Sequence, residues 1–285
     1  LYSNKNGIVD FIDLIIGSEG ILGLITSCKL GLAPFPTNFL DLFITFKSES
    51  DALNFRDFLS IHFNQDFSQI TALEYFGYNS QKYMDNNDFF FNKEDDVGIY
   101  IQIPFSNDTM ENKIEEWISL LKKFNPAINL DRVIVLNDPI IWEKFFKSRH
   151  SIPDNALTKT KTLNTISIIT DTIVPEKNFR KYLDRVHRKL KNNRIEYLLF
   201  GHLGDCHLHF HLIADKAQQA KCLESYNYII DLSNDLGGVY SAEHGTGKRK
   251  KNDFEKFYGS EAVEMVKKTK FSLDPNNYLN RGNLI

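Results

Sequence analysis

The most informative stretch of the sequence is IEYLLFGHLGDCHLHFHLI, residues 195–213, which contains four of the chain's eight histidines. Two apolar stretches flank a Gly-Asp pair, which is typical of two strands joined by a turn. In the second stretch His207, His209 and His211 alternate with apolar residues. A strand would therefore place the three imidazoles on one face and the apolar side chains on the other. His202 lies across the turn and would point toward the same place.

Converging histidines are a typical binding site for zinc or a similar divalent ion, and a carboxylate often completes such a site. The best candidate for that carboxylate lies in SAEHGTGKRKK, residues 241–251, where Glu243 and His244 precede two glycines. The spacing leaves a second interpretation open, in which the histidines are ordinary hydrogen-bonded residues of a strand. We expect Asp205 to be a turn residue and the KRKK run at 248–251 to be a solvated face.

The composition sets limits on the class of protein. The chain has 285 residues, of which 42% are hydrophobic, enough for a sizeable core in one large domain or two ordinary ones. The net charge of −3 gives no reason to expect nucleic acid as a partner. Three cysteines without a CxxC motif favour a reducing, cytoplasmic compartment. The charged residues and glycines of the apolar segment 11–35 argue against a transmembrane helix there.

The remaining pattern predicts an α+β fold, with helices covering a mainly antiparallel sheet. Residues 8–33 predict a strand, a glycine-rich turn and a second strand, and APFPTNF at 33–39 predicts a linker. Strand and helix patterns then alternate to residue 237. They form two halves of similar style, although no sequence repeat is visible. The first residue is Leu1 and no signal peptide follows it, so we expect the chain to be the later part of a longer protein.

Taken in order, several segments resemble the FAD-linked oxidases, the family that includes D-lactate dehydrogenases, glycolate oxidase and D-2-hydroxyglutarate dehydrogenase. GHLGDCHLHFHL is similar to the GHxGDxxxH signature of that family, and YSAEHGTGKRK resembles its GEHGxG signature. DLIIGSEGILGLIT resembles the segment that ends its flavin-binding domain. TALEYFG, FFKSRHSI and LDPNNYLNRGNLI are similar to its ALE strand, its Trp-x-x-Arg helix and its closing DPxxxxNPG.

The resemblance implies that residues 1–34 end a flavin-binding domain and that residues 35–285 form a substrate and cap domain of ferredoxin-like type. The implied activity is the FAD-dependent oxidation of a small D-2-hydroxy acid to the 2-oxo acid, with an unidentified electron acceptor. The implied cofactors are FAD and a divalent metal, zinc first and manganese or iron as alternatives. A homodimer and a peripheral contact with a membrane are compatible with this assignment.

The resemblance also assigns roles to individual residues. His202, His209 and Glu243 would bind the metal. His244 would be the general base, and Arg149 would hold the substrate carboxylate. The residues expected to lie along the flavin are Ser18, Glu19, Gly20 and Gly23, with Asn280 near its ring. The pyrophosphate-binding portion of the family lies before this segment, so we expect the chain alone to bind FAD poorly.

Some positions depart from the family pattern. Cys206 and His207 occupy positions where Gly and Asn are commonest, and Arg281 replaces a proline. Ile169 stands where some members have a lysine, which argues against a second carboxylate contact and hence against a dicarboxylic substrate. Two other functions stay open: a metal-dependent hydrolase that uses the same His/His/Glu cluster, and a catalytically inactive relative that binds a partner.

Overall fold

A computed structural model describes residues 4–5 and 8–285 of the chain. The described helices are α1 (Phe11–Ile15), α2 (Glu49–His62), α3 (Asn87–Phe90), α4 (Met110–Phe124), α5 (Pro139–Thr162), α6 (Glu176–Asn192), α7 (Gln219–Asp235) and α8 (Lys251–Leu273). The strands are β1 (Asn4–Lys5), β2 (Ile8–Val9), β3 (Asn38–Phe46), β4 (Ala72–Phe76), β5 (Val97–Phe105), β6 (Val133–Val135), β7 (Ile168–Ile169), β8 (Glu196–His202) and β9 (His207–Ile213). Side-chain caps on Ser48, Thr109 and Asp138 begin the helices α2, α4 and α5.

The prediction of two strands between residues 8 and 33 is wrong for most of that segment. β2 is only two residues long, and the side chain of Asp10 caps the short helix α1 instead. The alternating LITSCKLGL run has no assigned secondary structure, and Leu24 and Leu32 are 82% and 91% exposed. A strand requires a hydrogen-bonded neighbour, and none of the described strands lies beside this run.

Within the described residues, seven strands form one sheet in the order β6-β3-β5-β4-β8-β9-β7, and each neighbouring pair is antiparallel. The sequence-based α+β assignment with an antiparallel sheet is therefore confirmed. The first half, β3-α2-β4-β5-α4-β6, has the ferredoxin-like order of elements. The second half, β7-α6-β8-β9-α7, repeats it, with isolated bridges Asp171–Ser241 and Ile173–Val239 in place of a last strand. The two halves join where β4 pairs with β8.

The two faces of the sheet carry different cores. The larger core lies under α2, α4, α6 and α7 and includes Leu208, Phe210 and Leu212 of β9. The smaller core lies under α5 and is built largely from aromatic rings, with Phe43 in contact with Phe145 at a centroid distance of 5.5 Å. The predicted alternation of β9 is confirmed, because its apolar side chains enter the larger core and its imidazoles face the other way.

The described part of the chain contains no helix that combines the length and hydropathy needed to cross a membrane. Its three cysteines are unpaired, with Cys206 and Cys222 buried and Cys28 exposed.

Phe145 anchors α5, the helix that carries Arg149, to the sheet. We expect Phe145→Ala to lower the free energy of unfolding by about 3–5 kcal/mol, because it removes a fully buried ring from the aromatic core. Urea denaturation followed by circular dichroism measures this change. The matched control is Ile140→Ala in the same helix, which removes a side chain that is 79% exposed and should change stability by less than about 0.5 kcal/mol. Equal stability of the two variants would contradict this assignment of the anchor.

Candidate metal and substrate site

The β8–β9 hairpin brings the histidines together. Its register pairs His202 with His207, so the turn at 203–206 places the two imidazoles side by side. The ring centroids of His207 and His209 are 4.6 Å apart, and those of His202 and His209 are 6.2 Å apart. Gly201, at φ 139°, permits this approach, since a Cβ there would lie 2.8 Å from the carbonyl oxygen of His207.

Glu243 reaches this group of imidazoles from the segment that follows the Asp171–Ser241 bridge. Its Oε2 lies 3.4 Å from His202 Nε2, and its Oε1 lies 3.2 Å from His209 Nε2. His207 lies in the same cluster, and the candidate ligand atoms of the four residues are all within 4.8 Å of one another. Sequence positions 202, 209 and 243, expected to lie together, do so in the structure.

Hydrogen bonds fix the ring orientations of two of these histidines. His209 donates its Nδ1–H to the carbonyl oxygen of Thr170 at 3.0 Å, which leaves Nε2 directed at Glu243. His202 donates from Nδ1 to Glu74 at 2.6 Å, so its Nε2 also faces Glu243. The hydrogen bond to Glu74 raises the pKa of His202 to about 9, against the opposing effect of burial. Burial lowers the pKa of His209.

Asp171 lies behind the cluster with its side chain fully buried. Burial disfavours its charge, but hydrogen bonds from His207, Lys250 and Ser241 hold its pKa far below the usual range. The carboxylate accepts five hydrogen bonds. Its Oδ1 accepts from His207 Nε2 at 3.1 Å and from the Glu243 amide at 3.2 Å. Its Oδ2 accepts from Ser241 Oγ at 2.7 Å, the His244 amide at 3.0 Å and Lys250 Nζ at 2.8 Å. The prediction that 248–251 is a solvated face is wrong for Lys250, which neutralises this carboxylate.

His244 stacks on His209, with ring centroids 4.9 Å apart and ring planes at 10°. Its Nε2 lies 3.4 Å from Glu243 Oε1, and 42% of the side chain is exposed. A cavity of about 680 Å³ opens beside His244, between β7, α7 and the loop 244–253. A small molecule can therefore approach His244 from this cavity, whose lining does not include His202, His209 or Glu243.

Arg149 joins the site through one intermediate residue. Its Nη2 lies 2.9 Å from Glu74 Oε2, and the other oxygen of Glu74 accepts from His202. Burial raises the pKa of Glu74, but hydrogen bonds from His202 and Arg149 and their charges outweigh it, so the net pKa is lowered. The guanidinium of Arg149 is partly exposed and has further N–H groups to offer a ligand.

Two of the residues expected along a flavin, Glu19 and Asn280, lie beside the loop 244–253. The Glu19 carboxylate accepts from the backbone amides of Thr246 and Gly247 at 2.6 and 2.8 Å, and Asn280 Nδ2 donates to the Glu19 carbonyl at 2.6 Å. Gly245 has to be glycine here, since its φ is 72° and a Cβ would lie 2.7 Å from Glu19 Oε1. Gly20 lies beside Asn280, and Ser18 lines a small apolar cavity. Gly23 faces open space within the described residues.

Sequence reasoning missed Glu74, Asp171 and Lys250 as parts of the site. A lone acid within the apolar run ISIITDTIV was the available signal for Asp171. His211 was included in the histidine face but lies outside the cluster. It bonds Ser167 Oγ at 2.9 Å, and burial lowers its pKa to about 4.

Comparison with known proteins agrees with the resemblance drawn from the sequence. Residues 50–284 match the family described as FAD linked oxidases, C-terminal domain. The whole chain is 26% identical over 294 residues to a D-2-hydroxyglutarate dehydrogenase of Stutzerimonas stutzeri (strain A1501), of which it covers 60%. It is 23% identical over 288 residues to a D-lactate dehydrogenase of Archaeoglobus fulgidus, a match that covers 99% of this chain and 59% of the relative. The chain thus spans about 60% of the length of these two relatives.

Solved structures agree on the fold. A structure of p-cresol methylhydroxylase with substrate bound superimposes with a TM-score of 0.60 at 12% identity, covering 89% of this chain and 54% of that one. An alkyldihydroxyacetonephosphate synthase gives a TM-score of 0.55 at 13% identity, covering 96% of this chain and 50% of that one. Fold, signature segments and family match agree, and the chain belongs to the FAD-linked oxidases, whose C-terminal domain it contains.

Proposed function

We propose that the chain forms the substrate-binding and metal-binding part of an enzyme that oxidises a small D-2-hydroxy acid to the 2-oxo acid with FAD as cofactor. The observation that carries this proposal is the convergence of His202, His209 and Glu243 beside His244, with Arg149 linked to the same group through Glu74. Relatives named D-2-hydroxyglutarate dehydrogenase, D-lactate dehydrogenase and glycolate oxidase subunit GlcD support the substrate class.

The residues present fit a divalent metal. Ligand atoms on a tetrahedral ion with bonds of about 2.0–2.1 Å lie roughly 3.3 Å apart. The separations of 3.4 and 3.2 Å from Glu243 to His202 and His209 agree with that spacing. Two imidazoles and a carboxylate suit zinc, and manganese or iron are alternatives for the same set of atoms. His207, the fourth residue of the cluster, is held by Asp171 through Nε2 at 3.1 Å, so the residues that would hold the metal are His202, His209 and Glu243.

A second grouping would use Asp171 and His244 together with His209 and Glu243. We assign the ligands to the first group because both oxygens of Asp171 already accept several hydrogen bonds from the protein. Asp171 then serves to hold the loop of Glu243 and His244, and the His244 side chain is left free to act as a base.

The reaction requires removal of the hydroxyl proton and of the hydride on the same carbon. A metal held by His202, His209 and Glu243 would lower the pKa of the hydroxyl, and bound FAD would supply the acceptor for the hydride. His244, exposed and next to Glu243, takes the hydroxyl proton. Arg149 pairs with the substrate carboxylate and orients the carbon that carries the hydrogen.

The contacts of Glu19 support the proposed flavin side of the site. Ser18, Glu19, Gly20, Gly23 and Asn280 are assigned to it, and Glu19 acts by fixing the loop 245–247 rather than by presenting its charge. We assign residues 1–34 to the flavin-binding domain and residues 35–285 to the substrate and cap domain. The exposed apolar side chains of 24–35 are in keeping with a neighbouring flavin-binding portion.

Removal of one imidazole tests the metal assignment. We expect His209→Ala to weaken zinc binding by more than about 100-fold, since even residues that only orient metal ligands contribute about 10–100-fold. Calorimetric titration of the purified chain with Zn²⁺ gives the affinity. The control is His211→Asn on the same strand and face, which should bind zinc as the parent does. If His209→Ala binds zinc with the parent affinity, the ligand set is wrong.

His244 should matter for turnover and not for the metal. In the full-length protein with FAD bound, we expect His244→Ala to lower kcat by about 10²–10⁴-fold and to leave the zinc affinity unchanged. Reduction of an artificial electron acceptor by D-lactate, glycolate and D-2-hydroxyglutarate, with and without chelator, measures this. Lys248→Ala in the same loop is the control. Ester or amide hydrolysis without dye reduction would instead support the hydrolase.

Arg149 should set the affinity for the substrate carboxylate. Arg149→Met removes a charge-assisted hydrogen bond, and we expect kcat/KM to fall by about 30-fold or more. Lys147→Met, an exposed position in the same helix, is the control and should leave kcat/KM unchanged. The same loss in both variants would mean that the effect belongs to the helix and not to Arg149.

A further inference from the structure

One surface of the molecule carries a concentration of positive charge that the proposed reaction does not use. Residues 176–194, which include α6, contain eight lysines and arginines and two acids, although the whole chain has a net charge of −3. The helix buries Phe179, Leu183 and Val186 in the larger core, so its charged side chains line the outer face. With 17 residues, α6 spreads these charges over about 25 Å.

Much of this charge is not neutralised by the protein. Among the described residues, no carboxylate oxygen lies within 4.0 Å of the charged nitrogens of Lys181 or Arg185. Arg188 has Asp184 only at 3.8 Å, and both side chains are largely exposed. Lys189 is paired with Glu224 of α7, and Arg180 is paired with Asp57 of α2. The face therefore keeps an excess of positive charge on its unpaired lysines and arginines.

A groove in this face has the groups that bind phosphate. It measures about 310 Å³ and is lined by Arg185, Arg188, Lys189, Asn192 and Tyr228. Guanidinium groups bind phosphate oxygens in pairs, and the amide and phenol can donate further hydrogen bonds. Carboxylates are absent from this lining within the part of the chain described.

We propose that the outer face of α6 docks on an anionic lipid surface and seats one phosphate headgroup in the groove of Arg185 and Arg188. The length of the charged row favours an extended anionic surface over a single small anion. The contact is peripheral, held by charge and not by an inserted segment.

An acidic protein is the other extended anionic partner that such a face fits. α6 covers the sheet face that carries Leu208 and Phe210, whereas the imidazoles of His207 and His209 point from the opposite face. An electron-accepting protein would have to approach the histidine side, so a lipid surface is favoured for α6. That choice between partners rests on the proposed function, but the lipid contact itself requires neither flavin nor metal.

Sedimentation of the purified chain with lipid vesicles tests the proposal. We expect binding to phosphatidylcholine vesicles that contain about 30% phosphatidylglycerol, and release when NaCl is raised from about 0.05 to about 0.5 M. Each cation at a membrane surface contributes about fivefold to binding, so Arg185→Glu with Arg188→Glu should reduce the partition coefficient by at least about twentyfold. The matched control is Lys122→Glu with Lys123→Glu in α4, which makes the same charge change near the far end of the sheet. Circular dichroism checks that both variants are folded.

Four results would overturn the proposal. If the wild-type protein does not sediment with anionic vesicles, it makes no lipid contact. Equal losses in the α6 and α4 variants mean that only net charge matters. Full competition by millimolar inorganic phosphate at constant ionic strength makes the groove a site for a free anion. Binding to soluble poly-L-glutamate without binding to vesicles identifies an acidic protein as the partner. Because metal affinity and dye reduction are not measured here, failure of this proposal leaves the proposed function standing.

Discussion

The site depends on a single buried negative charge, the carboxylate of Asp171. A carboxylate removed from water is stable only when it is paired and hydrogen-bonded, and Lys250, Ser241 and two backbone amides satisfy that requirement. These donors all belong to residues 241–250, so neutralising Asp171 folds this loop against the second half of the sheet. Glu243 and His244 are placed over the histidine strand as a result. The bond from His207 ties β9 to the same carboxylate.

The two faces of the sheet separate an apolar core from a polar histidine cluster, which could not share one surface. Leu208, Phe210 and Leu212 supply the larger core, while His207 and His209 point into a polar environment from the other face. A strand achieves this because successive side chains alternate. The aromatic core under α5 shares the polar face and positions Arg149 beside Glu74. The repeated ferredoxin-like halves meet at the β4–β8 pairing, which brings Glu74 opposite His202.

Local patterns sufficed for much of this arrangement. The hairpin at 195–213 was predictable because alternation and the turn residues encode it, and the approach of Glu243 to His202 and His209 was expected from the resemblance to the FAD-linked oxidases. Glu74, Asp171 and Lys250 were not, since their importance comes from pairing between strands and loops far apart in sequence. The strand expected at 24–32 failed for a related reason: alternation shows which residues suit a strand but does not supply the neighbour it must pair with.

Glu19 bridges the two ends of the site. Its carboxylate holds the amides of Thr246 and Gly247, and its carbonyl accepts from Asn280. These hydrogen bonds connect the glycine-rich turn at 17–20 to the loop that carries Glu243, so the two segments are held in one arrangement. A ligand that orders one of these segments reduces the entropy cost of ordering the other. Binding of the cofactor would therefore raise the affinity for the cation, and the cation would raise the affinity for the cofactor by the same factor.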